Sequence, residues 1–94
     1  MIKVVSKGFF YDGKTEKAIE LYEELVGKTR KEKGCISYNL FQDNTDKTIL
    51  TMIEEWENKE SLDNHFNTEH FKRLVPIIGT LRKNSELNIY ELVL

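Results

Sequence analysis

Apolar positions along the chain switch repeatedly between a two-residue and a helical period, and those switches predict the elements. Residues Ile2 to Tyr11 alternate as a strand does, with Ile2, Val4 and Phe10 on one face and Val5, Phe9 and Tyr11 on the other. Asp12-Gly13 is a turn signal. Thr15 then stands where a helix cap is expected, with Glu16 and Glu20 near the positive end of the dipole. Ala18, Leu21, Tyr22, Leu25 and Thr29 recur at helical spacing and form one stripe. Lys28, Arg30, Lys31 and Lys33 gather near the negative end, and Gly34 is placed to stop the helix in the left-handed region.

Cys35 to Gln42 reads as a second strand, with Ile36, Tyr38 and Leu40 alternating against Cys35, Ser37, Asn39 and Phe41. Asp43 to Lys47 is a polar turn, and Thr48 to Trp56 is a third strand rich in β-branched residues. So short a connection makes the two an antiparallel hairpin. Asn58 suits the cap of a second helical region, with Glu60 in its first turn and Leu62, His65 and Phe66 on one face. Asn67-Thr68 offers a break with Thr68 as a new cap, after which Phe71, Leu74, Val75 and Ile78 keep the helical period. Pro76 cannot donate to the carbonyl of Lys72, so a kink or a change of helix type is expected there. Asn84-Ser85 is a connector, and Leu87 to Val93 is a last strand.

The order strand, helix, strand, strand, helix, strand is that of a ferredoxin-like α+β fold, a single domain over residues 1–94. Its helical stripes must both pack on one face of an antiparallel sheet. The other face still carries apolar residues from alternate strand positions, and a monomer would leave that patch in water. A homodimer joined sheet to sheet is the expected remedy.

Composition narrows the function classes. At 39% hydrophobic and 32% charged residues the chain is globular, not disordered. A net charge of −2 with interspersed signs gives no electrostatic case for nucleic acid or an anionic membrane. The start, Met1 to Lys7, lacks the apolar run of a secretory signal, and no run is long enough to span a membrane. Cys35 is the only cysteine, which rules out an intrachain disulfide and fits a reducing cytoplasm. Its plainest role is a small buried hydrophobe at a strand start. Lys7-Gly8-Phe9-Phe10 looks like a piece of the aromatic motif of RNA-recognition domains. It lies on the first strand, whereas that motif belongs on the third, where this chain has Thr48 to Ile53.

Lys33-Gly34-Cys35-Ile36-Ser37-Tyr38-Asn39-Leu40, then a hairpin, then Glu54-Glu55-Trp56, resembles the antibiotic biosynthesis monooxygenase (ABM) family. The likeness continues through Glu60 to His65 and Glu69-His70-Phe71. It implies a dimeric α+β barrel with a small apolar pocket between each sheet and its helices. It also implies oxygenation of a small quinol-like or phenolic substrate without flavin, metal or other cofactor. In that chemistry a base removes the phenolic proton and the electron-rich anion reduces O₂ directly.

Glu54 and Trp56 leave the same face of their strand, and Leu50 and Met52 share it. A carboxylate in such a wall needs a partner, and His65 on the covering helix is the expected one. In this reading His65 and Glu54 are catalytic, with His65 the base and Glu54 fixing its tautomer. Trp56 supplies a stacking wall, and Tyr38, Met52, His70, Phe71 and Leu74 complete the substrate-binding set. His65 and His70 lie roughly 140° apart on a continuous helix, so only a break at Asn67-Thr68 could bring them together, and no metal site is expected. The haem-degrading branch of the family places an Asn on the first strand, where this chain has Ser6 and Lys7. Some polyketide-tailoring members place an Asn four residues before the Trp, where this chain has Met52. The rival classes are a non-catalytic small-molecule binder and an isomerase of a small hydroxycarbonyl signalling compound, since both need an apolar pocket with one base.

Overall fold

Alternation in the first strand decides the layering of a computed structural model that describes residues 1–94. Along β1 (Ile2–Phe10), Ile2, Val4, Gly8 and Phe10 are buried, while Val5 and Phe9 on the other side keep part of their surface in solvent. The strand lies inside a four-stranded sheet of order β2-β3-β1-β4, where β2 is Cys35–Gln42, β3 is Ile49–Trp56 and β4 is Arg82–Glu91. Every neighbouring pair is antiparallel. Three helices, α1 (Thr15–Thr29), α2 (Lys59–Phe66) and α3 (Glu69–Thr80), cover one face. This is the ferredoxin-like α+β order that the apolar periods predict.

The core forms where the α1 stripe of Ala18, Tyr22 and Leu25 meets Val4, Phe10, Leu50 and Trp56, with Leu62, Leu74 and Ile78 added from α2 and α3. Burying a side chain of this size contributes roughly 1.5–3 kcal/mol each. Glu24 and Arg73 tie α1 to α3 across the solvent side of that seam.

Several local features differ from the sequence expectation. Thr15 does not cap α1. It is the first helical residue, Lys14 precedes it, and no side chain accepts from the free N–H groups. The helix ends at Thr29, so Gly34 lies beyond its cap at Arg30. Gly34 does take a left-handed φ of 85°. Its further role is close approach, because a Cβ there would sit 2.1 Å from the Ser61 hydroxyl in the first turn of α2. Ile36 does not share a face with Tyr38. A bulge between Cys35 and Ser37 makes Ile36 the unpaired residue and turns it outward, 52% exposed. β3 starts at Ile49, because Thr48 is held in the preceding turn by Asp46. α3 stays α-helical through Pro76, so the expected change of helix type does not occur. β4 begins at Arg82, five residues before Leu87, in a polar and exposed edge segment that carries no alternating apolar signal.

Asn58 accepts a hydrogen bond from the Ser61 N–H and caps α2, as its position predicts. The break at Asn67-Thr68 also forms. Thr68 accepts from the Phe71 N–H to start α3 and donates its hydroxyl to the His65 carbonyl, 2.8 Å away. No helix is long and apolar enough to cross a membrane.

Candidate active site

A cavity of about 240 Å³ lies between the inner sheet face and the helices. Val4, Leu25, Met52, Phe66, Phe71 and Val75 make its walls apolar. Ser6, Tyr22, Tyr38, Glu54, Arg82 and Ser85 are the polar residues of its lining. An apolar pocket with a few convergent polar groups is the usual form of a small-molecule site.

Glu54 is the one carboxylate in that wall. The pleat of β3 aims it inward beside Met52 and Trp56, and only 5% of it is exposed. The Trp56 indole N–H donates to Glu54 Oε1 at 2.9 Å. Burial pushes the Glu54 carboxyl up to about 7, the Trp56 hydrogen bond opposes that rise, and the charge of Glu32 adds to it. The group therefore changes protonation state near neutral pH, where a general base is most useful. Tyr38, opposite Glu54 in the β2–β3 register, stacks edge-on to Trp56 at 6.3 Å. Burial, with the Glu54 charge behind it, raises the Tyr38 hydroxyl far above its ordinary value. Tyr22 is raised too, first by burial, with the Arg82 guanidinium working against it.

His65 sits behind this wall. It is 1% exposed, and its ring lies 4.8 Å from that of Trp56, 5.0 Å from Phe71 and 5.3 Å from Tyr38. Its carboxylate partner is Glu32 and not the expected Glu54, with Nδ1 2.9 Å from Glu32 Oε2. His70 Nε2 meets the same oxygen at 2.6 Å. The break between α2 and α3 is what brings the two histidines together, since it reorients the helix after Thr68. Burial lowers the His65 pKa, against the raising effect of Glu32, and favours the neutral imidazole. Glu32, His65 and His70 present donor atoms all within 4.8 Å of one another. Two imidazoles and a carboxylate are of a type that can hold a divalent transition metal, so the break between α2 and α3 assembles a ligand set that the spacing on one continuous helix had excluded.

Of the residues expected to line the pocket, Tyr38, Met52, Glu54 and Phe71 do so. Trp56, His65, His70 and Leu74 stand outside the lining, Trp56 as the donor that holds Glu54 and Leu74 as core. Sequence reasoning missed Glu32, Tyr22 and Arg82. An acidic residue inside the basic run from Lys28 to Lys33, at the negative end of a helix, was the available signal for Glu32.

The family model for antibiotic biosynthesis monooxygenase matches residues 1–76. The crystal structure of a conserved protein from Methanosarcina mazei Go1 is 39% identical, with 95% of this chain and 89% of that one covered and a TM-score of 0.92. A crystal structure of an antibiotic biosynthesis monooxygenase is 38% identical over 99% of both chains, with a TM-score of 0.94. The Synechocystis protein sll1783 is 35% identical over 80 residues, 84% of this chain. The chain spans about half the length of that relative, 54%.

Proposed function

The chain belongs to the antibiotic biosynthesis monooxygenase family, and from that premise we propose a cofactor-independent monooxygenase acting on a small quinol-like or phenolic compound. The observation that carries this reading is Glu54, a buried carboxylate with a pKa near 7 in an aromatic-lined cavity. Glu54 is the base in this scheme, in place of His65, because His65 stands outside the cavity with its Nδ1 held by Glu32.

Glu54 takes the proton of a bound hydroxyl and leaves an electron-rich anion. The anion passes one electron to O₂, and the resulting radical pair joins to form a carbon–oxygen bond. The peroxide then loses water. One oxygen atom ends in the ring as a quinone oxygen and the other in water, and the substrate itself supplies all four electrons. No separate reductant enters the balance. The apolar part of the walls serves this scheme by limiting water around the anion.

The working unit in this reading is a homodimer. Val5, Phe9 and Ile53 are half-buried on the sheet face that no helix covers, Phe41 is exposed there, and Lys3 pairs with Glu55 beside them. A second copy of the same face meets both the apolar and the charged positions.

Oxygen uptake by the purified protein on a panel of quinols, without added metal or flavin, tests the reading. Uptake of one O₂ per quinone formed, above the rate of autoxidation, is expected. No uptake on any quinol overturns it. Turnover of a hydroxycarbonyl compound without O₂ would instead assign the same base to an isomerase.

A further inference from the structure

The chain has three arginines, and two are engaged by protein acceptors. Arg30 donates to the Tyr38 carbonyl at 3.1 Å and to Asn39 Oδ1 at 2.7 Å. Arg73 is held by Glu24 and Glu69. Arg82 pairs with none of the chain's carboxylates, although it is half-buried and lines the cavity. Its polar neighbour there is the Tyr22 hydroxyl, whose pKa it holds down against burial.

Its placement is built into the sheet. Arg82 opens β4 opposite Phe10, and its stem lies over Gly8 in β1. A Cβ at Gly8 would stand 2.6 Å from the Phe10 ring and 3.5 Å from Arg82 Cδ. Glycine in mid-strand thus leaves room for the Phe10 ring and for the arginine stem above the inner face. The carboxylate in the same cavity, Glu54, is bonded to Trp56 and forms no ion pair with Arg82. The cavity therefore has two poles, a carboxylate on β3 and a guanidinium without a carboxylate partner at the start of β4.

A half-buried guanidinium that no carboxylate of the chain pairs keeps its donors available to an anion in the cavity. A planar guanidinium is matched best by a carboxylate held through two parallel hydrogen bonds. We propose that Arg82 is the anion-recognition residue of the cavity, and that the substrate is a single-ring phenol or quinol carrying a carboxylate. Its hydroxyl faces Glu54 and its carboxylate faces Arg82. The inference rests on the cavity being the phenol-binding site proposed above.

Calorimetric titration without O₂ tests it, with 3,4-dihydroxybenzoate against catechol as probes. The wild-type chain binds the benzoate about tenfold or more tightly than catechol. Arg82→Gln removes that preference, and Arg82→Lys retains part of it. Both side chains sit at a partly exposed strand start, and circular dichroism melts of each variant check the fold. Equal affinity for the two probes in the wild type, no binding of either, or a preference that survives Arg82→Gln overturns the proposal. A chain that prefers the benzoate through Arg82 yet takes up no O₂ with any quinol leaves this inference standing and overturns the oxygenase reading alone.

Discussion

The indole N–H of Trp56 donates to Glu54 Oε1 at 2.9 Å, between two residues that are both buried and lie two apart on β3. The bond stabilises the carboxylate and works against the burial that raises it. Trp56→Phe removes the donor, so the Glu54 carboxyl rises further above about 7. The base limb of the kcat/KM profile then moves to higher pH. The smaller ring also loosens the packing on Tyr38 and His65, at a cost of about 1–3 kcal/mol in stability. The profile and a denaturant melt measure the two effects separately.

Glu54 also links pH to folding. Its folded pKa, about 7, is raised above the ordinary carboxyl value of 4.5, so the folded chain holds a proton that the unfolded chain has already lost between those values. Stability attributable to this group is therefore full below pH 4.5 and falls as pH rises through 7. The penalty above pH 7 is on the order of 3 kcal/mol. Glu54→Gln keeps the shape and an acceptor for Trp56 without the charge. The variant is expected to melt higher than wild type at pH 8 and to lose that advantage at pH 4.5. An equal Tm difference at both values would contradict the linkage.

Glu32 holds α2 and α3 to the loop after α1 through two imidazoles on one oxygen. Glu32→Ala leaves both ring nitrogens without this acceptor, at about 1–3 kcal/mol per buried group left unpaired. It also removes an influence that raises His65, whose folded pKa already lies below 6.5. The unfolded chain binds that proton first as pH falls, so stability is lost below about pH 6.5. In the variant that loss extends to lower pH, which thermal melts from pH 7.5 to 5 follow.

The sheet face away from the helices carries the dimer prediction. Ile53 is central on β3, opposite Val5 on β1 and Asn39 on β2. Ile53→Lys places a charge in the middle of that apolar face and is expected to give a monomer in light scattering. The wild-type interface should bury about 1,600 Å² or more in total.

Local signals were legible where a residue type enforces its own geometry. Asn58 and Thr68 cap their helices as read, because a short polar side chain bonds the free N–H groups with little help from tertiary structure. The period-2 faces of β1 and β3 were legible for the same reason. What the sequence concealed depends on contacts between distant residues. Glu32 meets His65 and His70 across 33 and 38 positions, so no local spacing reveals it. The bulge that turns Ile36 outward leaves its neighbours' alternation unmarked in sequence. Arg82 opens an edge strand whose first half has no apolar period, so its approach to the cavity follows from β1–β4 pairing and the missing Cβ of Gly8.

The assignment of the base separates Glu54 from His65. Only Glu54 lines the cavity, while His65 packs behind Trp56 with Nδ1 at Glu32. General-base catalysis contributes about 10²–10⁴-fold, so Glu54→Gln is expected to lower kcat by that much. Its folded state and its affinity for the neutral phenol should change little, because Gln keeps the volume and an acceptor for the indole N–H. His65→Asn removes the ring that supports Trp56 and breaks one bond to Glu32, and its cost should appear mainly in Tm, with kcat reduced less than tenfold at a temperature where the variant is folded. The pH profile decides between them. If the base limb near pH 7 persists in His65→Asn and vanishes in Glu54→Gln, the carboxylate is the base. The reverse pattern, with the limb lost on changing His65, would return that role to the histidine and make Glu54 a structural partner of Trp56.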